Sequence, residues 1–318
     1  MRNGIEARSG GRRGCGRGTL RRFVAVPALL AVTLIGACGG GGGGGGPEIV
    51  AVAFGPDVFV SVGEGGRIYS SPDASFWTQR DGAGVTQTLR DVAYGANGFV
   101  VVGDGGVILT SLDGIGWVLE GSPTPASLFG VAYARGLYVI VGSGGVLLTS
   151  PDGRSWTERS SGTGADLDGI TSSDDRFLAV GAGGTATQST DGLTWTASST
   201  GASVTLRDVA FGNGFWIAVG DEGNVLRSPH ASSWTFLRTG GVIPNLEGIT
   251  FAQGVFFMVG DEGAAYTSPT GETLVQVIDI TKDNLNGIGD GANRFVAVGV
   301  NGGIFFSFDG VTWIIASV

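Results

Sequence analysis

Residues that carry most enzyme chemistry are scarce in this chain of 318 residues, which holds one histidine, two cysteines and two methionines. With His230 alone, there is no histidine cluster to hold a transition metal and no Ser-His or Cys-His pair to build a nucleophile. Cys15 and Cys38 both precede residue 49, so the rest of the chain has no disulfide and relies on packing. A domain of about 270 residues can do so, because a large share of its chain surface is buried on folding. Stretches with a helical period are missing after residue 49, which excludes helical repeats and crossover helices between parallel strands. The apolar run from Phe23 to Ile35 is too short to span a bilayer comfortably.

Basic charge is also in deficit, with 19 basic against 28 acidic residues and a net charge of −9. Residues 1 to 22 alone contribute seven arginines and one glutamate, so the chain beyond them carries 12 basic and 27 acidic residues, a net of −15. That field repels nucleic acid and anionic lipid head groups, and no nucleic-acid partner is expected. The charged front, apolar middle and small-residue end of the first 37 residues fit a secretory signal. Their end, Ile35-Gly36-Ala37-Cys38, resembles the lipobox of bacterial lipoproteins. The resemblance implies that Cys38 becomes the lipidated first residue of a mature protein held in the cell envelope, at the outer membrane or cell surface. Arg21-Arg22 hints at twin-arginine export, but its flanks match that signal poorly, and general secretion is expected. The expected organisation is a signal peptide over 1–37, a lipidated cysteine and polyglycine tether over 38–48, and one domain over 49–318.

That domain consists of seven copies of one pattern, marked by a Val-Gly step whose glycine falls at positions 63, 103, 142, 181, 220, 260 and 299. Each copy reads as four short β-prone runs separated by glycine and asparagine turns, such as Leu89 to Gly95, Phe99 to Gly103, Val107 to Ser111 and Trp117 to Glu120. Without crossover helices the runs pair antiparallel as a meander. A lone sheet that is apolar on both faces is not stable in water, whereas stacking several radially buries every face. The expected fold is all-β: a seven-bladed β-propeller of four-stranded antiparallel blades. The leading Leu or Ile lies 14 residues before the Val-Gly glycine, and a serine lies eight residues after it, in all seven copies. No strand is left over at either terminus, so ring closure is expected to rest on packing of blade seven against blade one.

The most specific short motif is Ser-x-Asp-Gly-x-x-Trp, carried by Ser111, Asp113 and Trp117, by Ser150, Asp152 and Trp156, by Ser189, Asp191 and Trp195, and by Ser307, Asp309 and Trp313. A further copy from Ser71 to Trp77 has Ala74 in place of the glycine, and blades five and six keep the spacing while losing the aspartate. The motif resembles the Asp-box, or BNR, repeat of sialidases and of propellers similar to the photosystem II stability and assembly factor. It departs from that repeat by lacking one residue between aspartate and glycine. The resemblance implies a peripheral motif with a structural role, and loss of the aspartate from two blades agrees with a role in stability. The aspartate and serine suit a tight turn in which they accept nearby backbone amides, with the tryptophan plugging between sheets. His230 falls in one of these turns and reads as a surface substitution.

A sialidase would need an arginine triad, a tyrosine nucleophile and an acid/base aspartate. No arginine here has the family's Phe-Arg-Ile-Pro context, and all five tyrosines lie within strands, with Tyr94 and Tyr133 expected in the core. No catalytic residue, cofactor or metal is assigned. One polar constellation remains. The turns after the Val-Gly step carry Glu64, Asp104, Asp221, Glu222, Asp261 and Glu262, while the strand starts carry Arg90, Asp91, Asp168, Arg207, Asp208, Glu247 and Asn286. Sevenfold symmetry brings these near the mouth of the central channel, on the face that carries binding in propellers. The expectation is a monomeric, non-catalytic propeller that binds a protein or glycan partner at this mouth and a membrane through Cys38. Two alternatives stand beside it: a secreted glycan-acting hydrolase on the same scaffold, and a structural surface protein with no dedicated ligand.

Overall fold

In the computed structural model the described residues are 46–237, 244–278 and 280–318. The expected signal peptide and the lipidation site at Cys38 lie outside them. The described chain forms seven four-stranded antiparallel sheets, each from four strands consecutive in sequence. Blade two shows how the pattern is realised. Its strands are Leu89–Gly95, Gly98–Gly103, Ile108–Ser111 and Val118–Leu119, ordered from the channel outward. The second strand of this blade is buried along its whole length, since both its faces press against neighbouring blades.

Seven hydrophobic cores close the ring, one between each pair of adjacent blades. Val60, Val62 and Ile68 of blade one pack with Leu89, Phe99, Leu109 and Trp117 of blade two. Ile49, Phe59 and Trp77 of blade one pack in turn with Val296, Val298 and Phe306 of blade seven. No blade therefore has a core of its own, which is why a single copy of the pattern cannot fold alone. Tyr94 and Tyr133 are only half-buried, packed edge-on or tilted against Phe99 and Tyr138 with ring centroids 4.8 and 4.5 Å apart.

The glycine of the Val-Gly step is required by crowding, and left-handed backbone has no part in it. Gly103 is extended, at φ −166°, yet a Cβ on it would lie 2.4 Å from the carbonyl oxygen of Thr88. The same carbonyl accepts the N–H of Asp104 at 2.9 Å, and the equivalent bond recurs in every blade, as in Ala182 to Asp166 at 3.0 Å. This bond pulls the start of the inner strand against the turn, and the strand bulges there, between Leu89 and Asp91 in blade two.

Closure goes beyond the expected packing. The N–H of Trp77 donates to Ser317 O at 2.8 Å and the N–H of Ser317 donates to Ser75 O at 2.9 Å, latching the segment that follows the last strand of blade seven, Ile314–Ile315, onto blade one. Gly46 pairs with Asn301 of blade seven, and Asn286 Nδ2 donates to Ile49 O at 2.9 Å. These hydrogen bonds answer a physical need: the ring's ends are the only seam without a covalent connection, so packing there is supplemented by hydrogen bonds.

Candidate functional site: the channel mouth

The second and third residues of each inner strand form the channel wall, and they differ from blade to blade although the surrounding frame does not. The third positions are Ala51, Asp91, Gly130, Gly169, Asp208, Gly248 and Gly287. Glycine dominates because inner strands converge: a Cβ on Gly169 would lie 2.7 Å from Asp208 Cα, and one on Gly287 would lie 2.5 Å from Val50 O. The two aspartates bridge blades instead. Asp91 accepts the N–H of Val92 at 2.8 Å on one oxygen and that of Val131, in blade three, at 2.8 Å on the other. Asp208 does the same with Val209 at 2.7 Å and Ile249, in blade six, at 2.9 Å. Burial pushes both carboxyls up to about 7, against the opposing pull of the amide bonds.

The second positions and the adjoining turns make the rim of a cavity of about 560 Å³. Arg90 forms a bidentate pair with Asp104, at 3.0 and 2.9 Å. Arg207 faces three acids: Asp221 at 2.8 Å, Glu247 at 3.9 Å and Asp168 at 4.0 Å. Burial raises Asp168 to about 6 despite the Arg207 charge, and its Oδ2 is buried without a hydrogen-bond partner. Glu247 is also raised by burial, again opposed by Arg207. Seven carboxylates and two arginines line the cavity. Both arginines are already engaged, so the free polar character of the mouth is anionic.

Of the residues expected at this face, Glu64, Arg90, Asp91, Asp168, Arg207, Asp208 and Glu247 line the cavity, with Asn286 beside them. Asp104 and Asp221 serve as the arginines' partners outside it, and Asp261 accepts Asn245 Nδ2 at 2.9 Å. Glu222 and Glu262 stand on the outer rim at φ +57° and +56°, where four other blades have glycine. Their backbone amides donate to Asn245 Oδ1 and Asn284 Oδ1, each at 2.9 Å. Sequence reasoning overlooked Glu48 and Asp166, which also line the cavity. Glu48 accepts Asn286 Nδ2 at 2.8 Å, and its N–H donates to Glu64 at 3.2 Å. A signal for both existed: the residue just before the leading Leu or Ile is polar in all seven blades.

The tryptophan turns lie between the third and fourth strands, away from the cavity-lining residues. In blade three Asp152 Oδ1 accepts the Ser150 hydroxyl and the N–H groups of Arg154 and Ser155, all at 2.8 Å. Asp191 holds Leu193 and Thr194 in the same way. These amide bonds draw Asp152 and Asp191 down to about 2, and Asp113 and Asp309 are lowered by the same cause. Trp195 is buried, and its ring N–H closes the turn on Gly192 O at 3.0 Å; Trp156 and Trp313 make the equivalent bond to Gly153 and Gly310. His230 is exposed in the degenerate turn of blade five. Among the described residues no group of three or more His, Cys, Asp or Glu is placed to hold a metal ion.

No family model matches the chain, and no curated protein does. Solved structures do. YCF48 from Cyanidioschyzon merolae superposes with a TM-score of 0.66 at 16% identity, covering 82% of this chain and 95% of that one. A structure described as YCF48 bound to D1 peptide gives 0.65 at 17% identity, over 82% and 93% of the two chains. The WD40 β-propeller domain of Doa1 gives 0.65 at 16% identity, over 83% and 94%. At this identity the likeness shows the propeller fold and nothing finer.

Proposed function

We propose that this chain is an exported, lipid-anchored propeller of the Asp-box type that binds a segment of another protein at its channel mouth, as a non-catalytic, assembly-type module. The observation that carries the reading is the mouth: a cavity of about 560 Å³ in a closed ring, lined by seven carboxylates and two arginines. With both arginines held by acids, the group such a mouth favours is cationic, a lysine or arginine of an extended segment. The peptide-bound YCF48 supports this as a use to which a propeller of the same fold is put. The anchor is supported by the small residues before Cys38, the charged and apolar segments ahead of it, and the run of glycines after it. A glycan-acting hydrolase is favoured only by Asp168, whose carboxyl at about 6 would suit a general acid. Of the other raised acids of the channel, Asp91 and Asp208 have both oxygens engaged by backbone amides, and Glu247 faces the same Arg207 as Asp168.

An affinity pull-down from solubilised membranes tests the binding role, with wild type beside an Asp168→Asn, Glu247→Gln variant. The expected result is a stoichiometric partner retained by wild type and lost from the variant. Recovery of no such partner by wild type overturns the reading in favour of a surface protein without a dedicated ligand. Palmitate labelling tests the anchor, and a Cys38→Ala variant that still takes up label refutes it.

A further inference from the structure

The seven blades are internal controls for one another, because equivalent positions do the same structural work. Four equivalent positions on the outer turn and outer strand of each blade are exposed or half-buried. In blade three they are Pro151, Arg154, Thr157 and Glu158, all exposed. In blade two they are Leu112, Ile115, Val118 and Leu119, and in blade seven Phe308, Val311, Ile314 and Ile315, every one apolar and between 45% and 71% exposed. Blade one sits between these two in the ring. It adds Phe76, which pairs with Ser317 beside the exposed Val318 and so extends the blade-seven patch across the seam. Blade three shows that the scaffold does not require apolar side chains here. A concentrated exposed apolar surface of this kind marks an interaction site.

We propose that this rim, blades seven, one and two, rests on the surface of an electrically neutral lipid bilayer. The proposal rests on the anchor reading above and adds to it the face that meets the membrane. Gly46 pairs with Asn301 of blade seven, and Cys38 lies eight residues before it. Eight residues reach at most about 29 Å even when fully extended. A lipid on Cys38 therefore keeps blade seven, one of the two blades with four exposed apolar positions, close to the bilayer at high effective concentration. The surplus of acidic residues disfavours an anionic surface, so apolar side chains entering the head-group region supply the attraction. Rim contact leaves the channel mouth clear for its partner.

Residues 46–318 contain all seven cores and the closing hydrogen bonds, so they form a folding unit of their own. A polyhistidine tag ahead of Gly46 holds this unit on phosphatidylcholine vesicles through a nickel-chelating lipid, whatever happens at Cys38. A fluorophore is attached through Val311→Cys in blade seven or through Arg154→Cys in blade three, both exposed sites, and quenching by brominated lipid is read. The expected result is quenching about twofold or more stronger at blade seven, abolished by Ile314→Asp with Ile315→Asp. Equal quenching at the two sites overturns the proposal, as does sedimentation showing that the vesicle-free protein self-associates through this rim. Rim contact without palmitate on Cys38 refutes the anchor alone, and palmitate on Cys38 without rim contact refutes the rim alone.

Discussion

The aspartates of the tryptophan turns and the aspartates of the channel both accept backbone amides, yet their carboxyls move in opposite directions. Asp152 lies in an exposed turn, accepts two amides and a hydroxyl, and is held at about 2. Asp91 and Asp208 also accept two amides each, but inside the channel the loss of hydration outweighs those bonds and lifts them to about 7. Hydrogen bonding alone does not set an acid's character; the water it gives up does. The outer aspartates are therefore structural pins that stay ionised, while the channel holds acids whose charge is costly and responsive to a cation.

The largest effect is expected where the outer turn is unplugged. Trp195→Ala empties a buried slot between blades three and four and should cost roughly 3–5 kcal/mol, read by urea unfolding. A loss below about 1 kcal/mol would show that the turn is not a scaffold element.

Next comes the channel pair. From an ordinary value of 3.8 to about 7, each aspartate holds its proton in the folded state while the unfolded chain has lost it. Stability from this source is full at low pH and falls as pH rises through that window, by up to about 1.4 kcal/mol per pH unit for each group. Asp91→Asn combined with Asp208→Asn should flatten that fall, and unfolding curves at pH 4, 5, 6 and 7 would show it. An unchanged slope in the double variant would remove the contrast between the two regions.

The smallest effect sharpens the contrast from the other side. Asp152→Ala loses one acceptor in an exposed turn that its serine still partly holds, and should cost about 1 kcal/mol near neutral pH. Because that carboxyl is lowered, its contribution is present above its ordinary value and fades as pH falls toward 2, opposite in sign to the channel pair. Partner capture at the mouth should not change, and a loss of capture would undo the division between scaffold and site.

Much of the fold was legible in the chain. The repeat period and fixed spacings of Leu, Val-Gly, Ser and Trp name the blade count, the strand order and the tryptophan plugs, because each states a local geometric need repeated seven times. The site was legible only in outline. Repeat symmetry placed Arg90, Arg207, Asp168 and Glu247 at the mouth, but it could not show that both arginines are held by acids. Nor could it separate Asp91 and Asp208 from Glu64, because the amides they hold, Val131 and Ile249, are 40 and 41 residues away. Glu48 and Asp166 were missed because the pattern was anchored on the apolar residue that follows each of them.

By itself the sequence determined the seven blades, the antiparallel meander within each, the excess of acid and the scarcity of catalytic residue types. These follow from local pattern and composition, which a chain carries wherever it folds. Tertiary structure alone decided which acids give up their water, which arginines are already paired, why the Val-Gly glycine admits no Cβ, and how the ends of the ring are latched. Each of those depends on groups distant in sequence approaching within a few ångströms, and only closing the ring brings them together.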